Sequence, residues 1–288
     1  MSATPDGPTG AGHGAAAGWS AADVEPVVCC LCGEPGAPLY EQAPFAVVRC
    51  PRCALVFVSP RLTAEALQRL YDEPAYFDDT VYGTSRWSPA MLLQRTWTAG
   101  RLALLAAQVP PPARLLEIGS GYGHFLAAAR DAGYQARGIE LSRTGVAHAR
   151  DRLGLDVFAG QLADDPNPEP ADVVCFWDTL EHVPDPLAFL TQVRQRMSGP
   201  DALAALSVPS FASLPARALR SRWWTLKPEQ HIWHFTPDTL RVLAARAGLV
   251  ITRVVTSPVA PGNAGRLDSL VALARPLPDD PAPGGEAR

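Results

Sequence analysis

RLLEIGSGYGHFLAAARDAGYQARGIEL, residues 114–141, is the stretch whose reading decides the fold. Leu115, Leu116 and Ile118 form a short apolar run without polar alternation, the pattern of a strand covered on both faces. Gly119, Gly121 and Gly123 follow at alternate positions, so the backbone can turn sharply and lie close to a ligand. Phe125 to Ala132 read as a helix that Gly133 closes. Ala136 to Ile139 make the next strand, with Glu140 at its C-terminal end. Strand, glycine turn, helix and strand in that order predict an α/β fold.

The glycine spacing bears on the ligand. A nicotinamide-dinucleotide fingerprint reads G-x-G-x-x-G and seats a pyrophosphate on a helix N-terminus. Residues 117–123 read E-x-G-x-G-x-G instead, with Glu117 ahead of the first glycine. A carboxylate there suits an ammonium group and suits a phosphate poorly. Glu140, 17 residues after Gly123, stands where a carboxylate can accept both hydroxyls of a ribose. An amino-acid end and a nucleoside end with no phosphate between them describe S-adenosylmethionine (SAM). LEIGSGYGHFL followed by GIELS resembles the class I SAM-dependent methyltransferases. The resemblance implies a Rossmann-like sheet with helices on both faces. An NAD-dependent oxidoreductase with a degenerate loop is the competing enzyme reading.

Of the 288 residues, 47% are apolar and 19% charged, the composition of a globular protein with room for one large and one small domain. A net charge of −4 offers no general attraction for nucleic acid or an anionic membrane, so neither partner is expected. Residues 1–24 are rich in Ala, Gly, Pro and Ser and lack the charged and apolar regions of a signal peptide. They are expected to be a disordered leader. No run approaches the ~18–20 apolar residues of a membrane span, and a cytoplasmic protein is expected. Its cysteines should then be reduced, and clustered cysteines suggest metal.

Four of the six cysteines fall into two C-x-x-C knuckles, Cys29 with Cys32 and Cys50 with Cys53. That pairing supplies four thiolates for one tetrahedral zinc, a closed and therefore structural site. Cys30 could replace Cys29 only with a cramped C-x-C geometry, and Cys175 lies in an apolar strand. The segment resembles the small zinc-binding module ahead of the catalytic domain in some bacterial methyltransferases, including sugar-modifying ones. Glycine usually follows the second knuckle there, and Ala54 takes its place here. Thr63 caps the next helix, and Met91 to Gln108 have helical spacing. Tyr76, Phe77, Tyr82 and Trp87 lie between; they line the acceptor pocket or form docking core.

In the C-terminal half, Ser142 caps a helix to about Leu153, and Val157 and Phe158 form a third strand. The following loop, residues 160–165, borders the adenine by the resemblance. Asp164 is the candidate for its exocyclic amine, with Gln161 or a backbone amide as alternatives. The bland reading makes Asp164 and Asp165 a solvated acidic loop. Strand four, residues 171–177, exits into Asp178-Thr-Leu-Glu181-His182-Val-Pro184-Asp185-Pro186. This matches the D-x-L-E-H-V-x-D-P of the resembled family and lies where open α/β sheets bind ligands. Asp178 joins Glu117, Gly119, Gly121, Gly123, Glu140 and Asp164 as a cofactor-binding candidate.

Residues 222–236 are irregular, aromatic and histidine-bearing, and the resemblance sets them over the cofactor's methyl group. His182, His231 and His234 are the candidate bases, since a histidine can deprotonate a hydroxyl at neutral pH. The alternatives are a backbone-bonding role for His182 and packing roles for His231 and His234. His124 is expected to cover the methionine end, and His148 to lie on a helix surface. Thr236, Pro237 and Gly248 bracket a helix, and residues 249–255 form a strand. Residues 259–288 are Pro, Gly and Ala rich; the 267–277 stretch reads as a short helix, which leaves a seventh strand unplaced.

The expected plan is a leader (1–24), a zinc-binding module (25–62), a helical cap (63–108), a SAM-binding domain (109–258) and a C-terminal tail (259–288). The expected activity is methyl transfer to a small-molecule acceptor, O-methylation of a sugar or secondary metabolite above all. A non-catalytic zinc-bearing interaction protein is the remaining alternative. Oligomeric state is not readable from the sequence.

Overall fold

A computed structural model describes residues 18–72, 89–260, 262–263 and 266–278. Residues 1–17 and the aromatics Tyr76, Phe77, Tyr82 and Trp87 lie outside the described residues. The expected leader to residue 24 is too long. Ser20 and Asp23 close a capping box around a 3-10 turn, Ala21–Asp23, and Val24 pairs with Leu62.

The N-terminal part runs β1 (Val24–Glu25), β2 (Ala37–Gln42), β3 (Phe45–Arg49), β4 (Val56–Val58), β5 (Arg61–Leu62), α1 (Ala64–Asp72) and α2 (Pro89–Ala106). The C-terminal part begins with β6 (Arg114–Ile118), α3 (His124–Asp131), β7 (Gln135–Glu140), α4 (Arg143–Ala147) and β8 (Val157–Ala159). It continues with β9 (Val173–Trp177), α5 (Pro186–Gln195), β10 (Leu203–Pro209), α6 (Leu214–Leu219) and β11 (Trp233–His234). It closes with α7 (Pro237–Arg246), β12 (Leu249–Val255) and β13 (Ser269–Pro276). Helices start where local chemistry lets them. Ser142, Asp185 and Thr236 accept amide hydrogen bonds as N-caps of α4, α5 and α7, and Thr63 accepts the Ala66 amide ahead of α1.

Seven strands form the main sheet in the order β8-β7-β6-β9-β10-β13-β12. β8, β7, β6, β9 and β10 run parallel, and β13 is antiparallel between β10 and β12. The 267–277 stretch is therefore a strand, not a helix. Its Ala and Leu content favours a helix locally, but Ser269 to Ala274 are buried between two strands. Tertiary packing overrides the local preference.

Alternate residues of the central strands serve two cores. Leu116, Val174, Phe176, Leu206 and Val208 face α5, α7 and the cysteine-bearing segment. Leu115, Val173, Cys175, Trp177 and Leu203 face α2 and α3. By the same alternation Glu117 and Ser207 belong to the α2 face. The zinc-type module is not self-contained: its sheet has the order β11-β4-β3-β2, so a strand from beyond α6 completes it.

The two knuckles share one backbone solution. The residue after the second cysteine adopts φ +70° at Gly33 and φ +62° at Ala54. That region opposes an L side chain. Ala54→Gly is therefore expected to stabilise the chain by about 1 kcal/mol, read as a raised denaturation midpoint; a neutral or lowered midpoint would show that the knuckle carries no strain.

Candidate active site

β6 and β9 are neighbours whose following connections leave to opposite sides of the sheet, and the crevice of an open α/β sheet forms at such a point. Two segments meet there: the turn Gly119–Gly123 after β6, and Asp178–His182 after β9. The three glycines answer to different constraints. A Cβ at Gly119 would lie 2.6 Å from Thr179 Oγ1, and one at Gly123 would lie 2.6 Å from Leu155 Cδ1. A Cβ at Gly121 would meet nothing within 4 Å among the described residues. Gly119 and Gly123 are thus required by packing, while Gly121, at φ +53°, leaves an open face. Glu140 is fixed beside that face, its Oε2 accepting from the Gly121 amide and its Oε1 from the Ser142 amide, both at 2.7 Å.

Beneath the turn lies a buried polar cluster. Arg101, from α2, donates Nη2 to Asp178 Oδ2 at 3.1 Å and to Ser207 Oγ at 3.0 Å. Arg266 donates Nη1 to the same Asp178 oxygen at 2.5 Å. Each guanidinium also lies over an indole, Arg101 at 4.6 Å from Trp177 and Arg266 at 4.9 Å from Trp97. Burial would raise the Asp178 carboxyl, but Arg266 and Arg101 outweigh it and hold it down at about 2. Glu117 is 3% exposed, and its Oε2 has no hydrogen-bond partner among the described residues. Burial pushes its carboxyl well up, against the pull of Arg101. A buried carboxyl with an orphaned oxygen beside an open glycine turn fits a ligand's ammonium group.

At the strand exit, the rings of His182 and His231 meet edge to face at 4.6 Å. His231 Nδ1 lies 2.8 Å from the Thr225 carbonyl. A carbonyl only accepts, so Nδ1 carries the proton and Nε2 keeps its lone pair. Glu181 is 1% exposed beside them. The Ile232 amide donates to the Glu181 carbonyl at 2.9 Å, and Trp233 Nε1 donates to the Val183 carbonyl at 2.8 Å, fastening the two segments together. Burial pushes His182 down to about 4 and His231 well below its usual range. His234 is placed differently: it is 1% exposed, with its ring 6.0 Å from Phe211 and 6.1 Å from Trp223. The 222–236 segment is thus built into the cysteine-bearing sheet through β11, not merely draped over the crevice.

Asp164 is exposed at the end of a 3-10 turn, Leu162–Asp164. Its neighbour Asp165 is no solvated loop residue. It is buried, takes two 2.7 Å hydrogen bonds from Arg137, and is bridged by Arg196. His148 is half-buried rather than a surface residue; its ring packs 4.9 Å from Tyr122 and 5.7 Å from His124. Cys29, Cys32, Cys50 and Cys53 come together, with Sγ contacts of 3.3–3.6 Å. Cys30 stays outside that group, and Cys175 is buried in β9.

Sequence reasoning missed Arg101, Ser207 and Arg266, which enter from a helix, a strand and a C-terminal loop. Their only local signal is a charged or polar residue in an otherwise apolar context. The glycine roles separate experimentally. Gly123→Ala should lower stability through both its clash and its positive φ, whereas Gly121→Ala should cost only the ~1–2 kcal/mol of a left-handed residue and weaken SAM binding in calorimetric titration. Equal effects of the two on stability would refute the division.

A family model described as a methyltransferase domain matches residues 92–254. No curated protein matches the chain. Among solved structures, magnesium protoporphyrin IX methyltransferase from Synechocystis PCC 6803, with bound SAH, is similar at a TM-score of 0.58 and 15% identity. That match covers 74% of this chain and 100% of the other. The 1,6-didemethyltoxoflavin-N1-methyltransferase of Burkholderia thailandensis is similar at 0.56 and 20% identity, covering 83% of this chain and 99% of the other. Mitomycin 7-O-methyltransferase is similar at 0.53 and 19% identity, covering 73% of this chain and 60% of the other. These likenesses share the fold described above, and the family match spans more than half the chain, including the glycine turn and the strand-four exit. The chain belongs to the methyltransferase-domain family, and its fold is that of the class I SAM-dependent methyltransferases.

Proposed function

We propose that the chain transfers a methyl group from SAM to a hydroxyl of a small molecule, a sugar or secondary metabolite. The observation that carries the cofactor part is Glu140, held by the Gly121 and Ser142 amides at the rim of the open turn. Each of its oxygens keeps a further lone pair for a ribose hydroxyl. Glu117 and the Gly119–Gly123 turn would hold the amino-acid end, and the loop containing Asp164 the adenine. Asp178, whose Oδ1 is buried without a partner among the described residues, is the remaining cofactor-binding group. When bound, SAM supplies a methyl group already activated by its positive sulfur.

The protein's own work is then alignment and exclusion of water, and orientation alone contributes up to ~7–11 kcal/mol in favourable cases. His182 and His231 are neutral at pH 7 by burial, so each offers a lone pair toward an acceptor hydroxyl. His234 is the third candidate base, although its ring sits in an aromatic layer. The small-molecule acceptor is supported by two of the similar proteins, which are named for methylating didemethyltoxoflavin and mitomycin.

The four cysteines fit a structural zinc. A tetrahedron of ~2.3 Å Zn–S bonds has edges of about 3.8 Å, a few tenths wider than the 3.3–3.6 Å contacts present. Such a site has no open position, so zinc would hold the module and take no part in the reaction.

Calorimetric titration tests the cofactor reading. Wild type should bind SAM and its demethylated product, and Glu140→Ala should lose roughly two to four orders of magnitude in affinity, at about 1.5–3 kcal/mol for each of two hydrogen bonds to a charged group. A folded wild type that binds neither would sink it. For zinc, stripping the metal with a strong chelator should raise amide exchange over residues 29–58 and also over 231–236, because β11 pairs with β4. Protection at 231–236 unchanged by chelation would separate the module from the catalytic loop and refute the zinc argument.

A further inference from the structure

We propose that Glu181, His182 and His231 form a second metal site, one for a divalent transition-metal ion, at the acceptor side of the crevice. One ligand atom from each of the three lies within 4.8 Å of the others. Glu181 is 1% exposed, and neither of its carboxylate oxygens has a hydrogen-bond partner among the described residues. A buried carboxyl in that condition is either protonated or matched by a bound cation, and the two histidines beside it are cation ligands. Arg101 and Arg266 act on Glu181 through space, and the ion pairs they make are with Asp178.

The histidines are arranged as ligands are. His231 donates its Nδ1 proton to the Thr225 carbonyl, which orients the ring and leaves Nε2 free to coordinate. His182 has a buried Nδ1 without a partner among the described residues, and its ring stands edge to face with His231 at 85°. The backbone bond from Ile232 to Glu181 and the indole bond from Trp233 to Val183 hold the two segments in register. Bonds of about 2.0–2.2 Å would draw the ligand atoms closer together than the 4.8 Å within which they now lie.

Two imidazoles and one carboxylate suit Zn, Fe(II), Mn or Co, and three protein ligands leave positions open. The cysteine cluster, by contrast, has all four positions filled by sulfur. An open ion would take an oxygen of the acceptor and lower that oxygen's proton affinity. This role rests on the methyltransferase reading; the metal site itself does not. His182 and His231 would then serve as ligands, and the acceptor would be a molecule with a chelating hydroxyl.

The test uses the full-length protein with zinc already in its cysteine cluster, titrated with Co(II). Wild type should take up one cobalt per chain, with the weak visible absorption of a nitrogen–oxygen site and paramagnetically shifted imidazole N–H resonances. Glu181→Gln and His231→Gln should weaken uptake by about 100-fold or more. No cobalt beyond the cysteine site, uptake without shifted imidazole signals, or undiminished uptake in both folded variants would each overturn the proposal. The wild-type signals decide it even where a variant fails to fold. SAM titration of the same samples keeps the two readings apart: SAM binding without cobalt uptake overturns the metal site alone, and cobalt uptake without SAM binding overturns the cofactor reading alone.

Discussion

The carboxylate of Asp178 is the point on which the crevice depends. It sits at φ +53°, a backbone region that opposes a side chain, at the end of β9. Two guanidinium groups hold it there, one from α2 and one from the loop before β13. Its own amide donates to the Ser207 carbonyl on β10 at 2.9 Å. One residue therefore joins α2, the exit from β9, strand β10 and the C-terminal edge. These three largely buried charges stabilise most when every partner is present, so the cluster couples these elements to one another. That coupling sets where Thr179 stands, and Thr179 in turn limits the space at Gly119.

A second coupling joins the cysteine-bearing module to the catalytic half. Phe57 pairs with Trp233, and their rings lie 5.7 Å apart. Trp233 also bonds the Val183 carbonyl. Cys29, Leu31, Cys50 and Phe57 share one core with Val174, Phe176, Leu240 and Leu243. The module is thus a wall of the catalytic domain, and order in its knuckles reaches His231 through two residues of chain.

Much of this was legible from residue types and spacing. The glycine turn, its flanking carboxylates, the two knuckles and the capped helices are local signals, each written within a few residues. Glu140 stands where its position relative to Gly123 placed it. The four cysteines cluster as their pairing requires, with Cys30 excluded. The misjudged elements share a cause. β13 contains helix-favouring residues, yet lies between two strands with both faces covered. Asp165 stands in an acidic run, yet its arginine partners come from β7 and the end of α5. Nothing within a short window distinguishes these cases from a helix or a solvated loop.

By itself the sequence determined the class of fold, the glycine turn and the cysteine cluster, because periodicity, backbone freedom and ligand spacing act over a few residues at a time. The tertiary structure alone decided which distant charges meet. Arg101, Asp178 and Arg266 are separated by 77 and 88 residues in the two contacts that unite them, and Glu181 finds His231 only because β11 crosses to β4. The physical reason is the cost of burying charge: the partner that offsets it is chosen by where the packed elements bring the chain back.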